Sequence, residues 1–352
     1  MVEYFNKNQR DTEFFNEHIA PRMPSELFDM HLHITRPKDT SGISQEAVDK
    51  DWALQCGYSM DIDDLKHYCE TLWCDRRVSV TAFPFPVRGV DLRSANKYLA
   101  KLLKDENNLN ANVSVRAAAM SIAPSFDCDE CEQQMLDYGF IGYKPYPDLV
   151  SGEKGADISI FDFIPDRFLR ALDKHKRAVI LHLPRAKRIA DPDNIKELLR
   201  MRQTFPDVKI IVAHYGRSYN IEVIEKAFAE FGSDINGFYF DNAAVLNPAV
   251  HTFMLEHIPH DRIFFGTDMP ILMWHGKRTW QNGTYQNFSR ETFKWNSGKT
   301  TSAEEEEKYT FLLYEQAKYL LDSIYSIGGR ELAEDIYCNN AKRFLRGVGC
   351  NV

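Results

Sequence analysis

The chain has 352 residues, 44% hydrophobic and 27% charged, which is enough apolar material to bury a large core in one domain. Its net charge of −8 gives no reason to expect a nucleic-acid partner. No apolar run approaches the roughly 18 residues of a membrane helix, and the polar start Met1–Phe15 lacks a signal-peptide core, so a cytoplasmic protein with no membrane partner is expected.

The lead-in to about Glu26 reads as polar and helical. Phe28-Asp29-Met30-His31-Leu32-His33-Ile34 then opens with apolar, β-prone residues and reads as a buried strand. His31 and His33 sit at i and i+2, on one side of it, with Leu32 pointing the other way. A loop with Arg36-Pro37-Lys38 follows. A long polar helical stretch runs from Ile43 to Asp75, with Asp61–Asp64 as a helix N-terminus. Arg77–Phe83 reads as a second strand, stopped by Pro84 and Pro86. After helical Leu92–Asp105 come strands at Asn112–Ala119 and Phe140–Lys144.

From there the alternation is regular. Helix Asp162–Lys176 precedes strand Ala178–Leu183. Helix Asp193–Thr204 precedes strand Lys209–His214. Helix Ile221–Glu230 precedes strand Gly237–Phe240, and helix Pro248–His257 precedes strand Arg262–Asp268. Eight such units predict an α/β fold with a closed parallel (β/α)8 barrel, one domain over 1–352 with its core at about 27–346. No G-x-G-x-x-G follows a strand and no P-loop is present, so nucleotide folds lack support. The polar, aromatic segment Trp274–Thr301, with Trp280, Tyr285, Phe288 and Trp295, falls on the active-site side. It reads equally as a lid or as a surface insertion or oligomer contact. Ser302-Ala303-Glu304-Glu305 reads as a capping box opening a helix through Ile324, and a last helix covers Arg330–Leu345.

Seven scattered cysteines, an odd number, read as reduced thiols. Cys128-Asp129-Glu130-Cys131 is a lone C-x-x-C without a second pair, better explained as a solvated helix start than as a redox or zinc site.

The ends of the predicted strands carry residues that packing does not require: His31 and His33, His182, His214 and Asp268. In a parallel barrel all these ends meet at one mouth. Three imidazoles and a carboxylate suit a divalent metal with a position left open for water. Lys144, Arg88, Arg116, Arg185 and Arg217 also fall near strand ends, and an arginine fork suits a carboxylate. Lys144, Arg116, Arg185 and Arg217 are therefore expected to bind an anionic substrate. The alternative is that the arginines pair with structural acids such as Asp241 or Asp148.

With these motifs the chain resembles the amidohydrolase superfamily, in its amidohydrolase-related branch of aminocarboxymuconate semialdehyde decarboxylase-like metal-dependent hydrolases. The resemblance spans Phe28 to Leu345. It rests on Asp29-Met30-His31-Leu32-His33, Gly142-Tyr143-Lys144, His182, Ala213-His214-Tyr215-Gly216, Gly266-Thr267-Asp268-Met269-Pro270 and Asn339–Leu345. It implies a metal held by His31, His33, His182 and Asp268, with His214 beside the water or substrate. It also implies one divalent ion, zinc first and manganese, iron or cobalt as alternatives. A second ion on a carbamylated Lys144 is the less favoured arrangement.

The expected activity is hydrolysis of an amide, ester or lactone bond by a metal-activated water, with Asp268 moving the proton and His214 stabilising the oxyanion. Non-oxidative decarboxylation of an aromatic or unsaturated acid is the competing reading. A non-catalytic metal-binding protein is the third. A small-molecule substrate is expected in each enzymatic case, and a homodimer is the default assembly.

Overall fold

The computed structural model describes residues 4–150, 157–281, 283–297, 301–350 and 352. The inner wall is built from β1 (Glu26–His33), β2 (Arg77–Phe83), β3 (Val113–Ala118), β4 (Met120–Ile122), β5 (Gly142–Pro145), β6 (Ala178–Leu181), β7 (Lys209–Val212), β8 (Tyr239–Asp241) and β9 (Ile263–Phe264). They pair in two parallel runs, β1-β2-β3 and β4 through β9 in order. Only Ala119 separates β3 from β4, so the two form one stave. Ile141 N donates to Ala118 O at 2.9 Å, which joins the runs there. On the other side Met30 N donates to Phe265 O at 2.8 Å and His33 N to Met269 O at 2.9 Å. These bonds carry the last stave onto the first, and the eight staves form the (β/α)8 barrel that the alternation predicts.

Side chains alternate along the staves as the pleat demands. Ala178 and Ile180 of β6 join Phe28, Met30, Phe83, Ala117 and Ile211 in one buried cluster. Val179 and Leu181 face the second, larger cluster, with Val80, Val115 and the helices. The last helix, Asn340–Gly347, packs Phe344 against Tyr239 and Phe264 at ring distances of 4.8 and 5.1 Å. One glycine is required by geometry. Gly142 has φ +151, and a Cβ there would sit 1.7 Å from the carbonyl oxygen of Ala178, so only glycine lets β5 pair with β6 ahead of Lys144.

Several predicted elements differ in detail. The Ile43–Asp75 stretch is three helices, Gln45–Lys50, Trp52–Cys56 and Ile62–Trp73, the last capped by Asp61 as expected. Ser302 caps only Ala303–Glu306. Thr310 and Phe311 then leave helical geometry to form β12 (Thr310–Phe311), and the long helix starts at Leu312 and runs to Ile327. The segment expected as lid or insertion forms an antiparallel hairpin, β10 (His275–Gln281) with β11 (Thr284–Ser289), and β12 adds to its other edge. Residues 282 and 298–300 of that segment lie outside the described residues. Cys128 opens the helix Cys128–Tyr138 with Asp127 as its cap, the bland reading of the C-x-x-C. Among the described residues no helix is long and apolar enough to cross a membrane.

A buried polar junction ties the hairpin to the N-terminal helix Gln9–Phe14. His275 Nε2 lies 2.9 Å from Asp11 Oδ2, and Nδ1 lies 2.8 Å from Glu291 Oε1. Arg290 Nη2 reaches the same cluster and donates to Glu291 Oε1 at 3.2 Å. Burial disfavours an imidazolium, but the bonds to Asp11 and Glu291 outweigh it and raise the pKa of His275. Burial opposes ionisation of Glu291 too, and the bond from His275 reverses that and lowers its pKa. The histidine contribution is complete below its ordinary pKa of about 6.5 and is lost as pH rises through the raised value. The glutamate contribution is complete above about 4.5 and fades as pH falls through the lowered value. Thermal melts of wild type and His275→Gln should therefore differ most between roughly pH 4.5 and 6.5 and converge as pH rises through the raised value of His275. A gap that widened with rising pH would contradict a charged His275.

Candidate active site

The strand ends converge as the barrel requires. The His31 and His33 side chains leave β1 on the same side, and their ring centroids are 5.7 Å apart. Asp268 follows β9, and its backbone N–H donates to His31 O at 2.8 Å, which places its carboxylate beside both rings. Asp268 Oδ1 is 3.2 Å from His33 Nε2 and 3.4 Å from His31 Nε2. Asp29 braces this corner from below. Its carboxylate accepts from His31 N, Thr267 N and the Thr267 hydroxyl. Burial pushes its pKa up to about 7.

His31 is oriented from behind. Nδ1 lies 2.9 Å from Asp241 Oδ2 at the end of β8, so the proton sits on Nδ1 and Nε2 faces the site with a lone pair. The other oxygen of Asp241 accepts from the backbone N–H groups of His214 and Ala243. Asp241 is thus an orienter of two site histidines and not the partner of an arginine. His214 Nδ1 is 2.7 Å from Ala243 O. A carbonyl can only accept, so Nδ1 carries the proton and Nε2 of the neutral ring is basic.

Burial pushes the pKa of His31, His33, His182 and His214 down, which favours the neutral imidazole that a metal needs. Burial alone would raise Asp268, but His214, His33 and His31 around it hold it well below the usual carboxylate range. The backbone here is unusual. His214, Tyr215, Arg217 and Asp268 all have positive φ, between 49° and 64°. Strained conformations in non-glycine residues persist where the surroundings over-determine them, typically at functional sites.

Among the described residues, the groups whose ligand atoms all lie within 4.8 Å of one another are His31–His33–Asp268 and His31–His214–Asp241. The first fits a divalent ion in chemistry as well as spacing: two neutral imidazoles and an ionised carboxylate. The second is largely occupied by the bond of Asp241 to His31. His182 belongs to neither group. It lines the same cavity, with its ring 5.4 Å from His214 and 4.6 Å from Tyr146.

The cavity measures about 390 Å³, within the range of small-ligand sites. Lys144 and Arg217 line it. The Lys144 amine is buried with no hydrogen-bond partner, 4.7 Å from the Phe83 ring centroid. Burial brings its pKa down to about 8. Arg217 gives Nη1 to Leu183 O, and its Nε has no partner.

Two expectations are corrected. Arg116 is not at the mouth. It lines a separate cavity with Glu26, Arg77 and Lys342, at the starts of β1 and β2, and it bonds Ser114 Oγ. Arg185 is spent on structure: Nη2 pairs with Glu197 at 3.0 Å, Nη1 bonds Asn194, and Asp191 lies 3.9 Å from Nε. The sequence reading also missed Arg278, which reaches the cavity from β10, and Tyr219 and Tyr285 beside it. The turn dipeptide Asn282-Gly283 is the hairpin signal that could have found the strand carrying Arg278.

A family model described as amidohydrolase matches residues 28–347. No curated protein matches the sequence. Among solved structures, 4-oxalomesaconate hydratase from Rhodopseudomonas palustris aligns with TM-score 0.55 and 16% identity, covering 92% of this chain and 96% of that one. A probable 2-pyrone-4,6-dicarboxylic acid hydrolase from Acinetobacter baumannii, with citric acid bound, aligns with TM-score 0.51 and 12% identity over 92% and 99%. The 2,6-dihydroxybenzoate decarboxylase from Rhizobium aligns with TM-score 0.50 and 15% identity over 91% and 98%.

Proposed function

Since the chain belongs to the amidohydrolase family of metal-dependent enzymes, we propose that it hydrolyses an amide, ester or lactone bond in a small carboxylate-bearing substrate. The observation that carries this reading is the placement of the Asp268 carboxylate beside the His31 and His33 imidazoles, in a cavity that also holds Lys144 and Arg217. His31, His33 and Asp268 would hold one divalent ion, zinc first, with His182 as the fourth ligand. Such an ion would supply Lewis acidity and lower the pKa of a water towards neutrality, so that hydroxide is available as the nucleophile.

The chain's own groups then divide the work. Asp268 Oδ2 takes the proton from the attacking water and later passes it to the leaving group. His214 Nε2 starts as a base. Its lone pair accepts a hydrogen bond from the attacking water and orients that water for Asp268. Asp241 keeps His31 in the tautomer that presents Nε2. Lys144 and Arg217 bind the substrate carboxylate and hold the bond to be cleaved against the reacting groups. We read Lys144 as a free amine that serves the substrate and not as a carbamylated bridge, which leaves one ion at the site.

The test incubates zinc-loaded protein with two panels, one of lactones, esters and amides of small acids, one of free aromatic and unsaturated acids. The expected result is acid release from the first panel with no carbon dioxide from the second. Carbon dioxide release without hydrolysis would replace this reading with decarboxylation in the same cavity.

A further inference from the structure

We propose that the substrate carries a second acidic group, and that Arg278 on the β10–β11 hairpin reads it. The proposal rests on the hydrolase reading above and names the class of substrate as a small dicarboxylate.

Arg278 does not come from a barrel strand. It enters the cavity from the hairpin, is only 5% exposed, and is held in place from two sides. Its Nε donates to Asn287 Oδ1 at 2.8 Å, across the hairpin from it. Its Nη1 donates to Ala244 O at 2.8 Å, which pins the hairpin to the loop after β8. Nη2 has no acceptor among the described residues. The guanidinium carbon lies 4.6 Å from the Tyr285 ring centroid and 5.5 Å from that of Tyr219. The face of the Tyr219 ring also lies 4.8 Å from the Arg188 guanidinium carbon.

Both acceptors of Arg278 are neutral, and so is the acceptor of Arg217. Asp51 and Asp148 line the cavity too, but neither forms a salt bridge with Arg217 or Arg278 among the described residues. The contrast with Arg185 is direct, because there a carboxylate meets the fork. A buried, oriented guanidinium without a counter-ion is costly to keep unless a ligand supplies the charge. A carboxylate fits because Nη2 can donate charge-assisted bonds to it while Nε and Nη1 hold the guanidinium plane in place. Lys144 and Arg217 serve one acid group, so Arg278 calls for another. Tyr219, Tyr285, Tyr146 and Phe85 line the same space and suit a flat apolar spacer between the two acids.

The test titrates benzoate, isophthalate and terephthalate into the zinc-loaded full-length protein by calorimetry. The better dicarboxylate should bind at least about tenfold tighter than benzoate. In Arg278→Gln that preference should fall to about twofold or less, while benzoate binds as before. If Arg278→Gln does not fold, Arg278→Lys carries the test and should lose about threefold or more of the preference, since lysine keeps the charge but not the fork. Equal binding of mono- and dicarboxylates to wild type, or a preference that survives in the variants, overturns the proposal. Benzoate binding without a dicarboxylate preference defeats this inference alone. Failure of every acid to bind, in protein that takes up no zinc, defeats the hydrolase reading and this inference with it.

Discussion

Asp268→Asn should reduce turnover by at least about 10³-fold while leaving the fold intact. The amide keeps the size of the carboxylate, so the backbone bond from Asp268 N to His31 O and the positive-φ turn have no steric reason to move. Two functions disappear together. The variant cannot take a proton from water, and it offers a neutral oxygen where an ionised one stood 3.2 Å from His33 Nε2 and 3.4 Å from His31 Nε2. Stopped assays on any substrate that the hydrolysis panel yields, with circular dichroism as the folding control, measure the loss. A variant within tenfold of wild type would remove Asp268 from the chemistry.

The second large effect is metal removal. Stripping the protein with a strong chelator should abolish turnover, and returning about one equivalent of zinc should restore it. Stability should respond as well, because the ion binds the folded rim and not the dispersed ligands of the unfolded chain. At free zinc near 1,000 times the dissociation constant the gain is about 4 kcal/mol, visible as a rise of several degrees in the thermal midpoint. The same addition to His31→Ala should give little rise. Full activity in the stripped protein would rule out metal-dependent catalysis.

The barrel and the core of the site were legible because both follow from local patterns. Strands of β-branched and aromatic residues alternate with amphipathic helices, and a parallel barrel brings every strand end to one rim. His31, His33, His214 and Asp268 could be gathered from distant parts of the chain on that rule alone. The rule fails where it ignores the direction of a side chain or a local partner. Arg116 lies inside its strand, not at the strand's end, and its side chain opens on the opposite face of the barrel with Glu26 and Lys342. Arg185 meets Glu197, twelve residues on in the next helix, and a sequence does not show that such a pair will close. Asp241 was read only as a candidate arginine partner, because its hydrogen bond to His31 joins residues 210 positions apart. Arg278 was hidden by composition: its segment is polar, and half-exposed hairpins carry too few apolar residues for the alternation to stand out.

Anomalous diffraction at the zinc edge from zinc-grown crystals tests the central claim most directly. One strong peak between the His31 and His33 rings and the Asp268 carboxylate, matched by about one zinc per chain in elemental analysis, is the predicted result. A peak only elsewhere, or two equal peaks flanking Lys144, would contradict it.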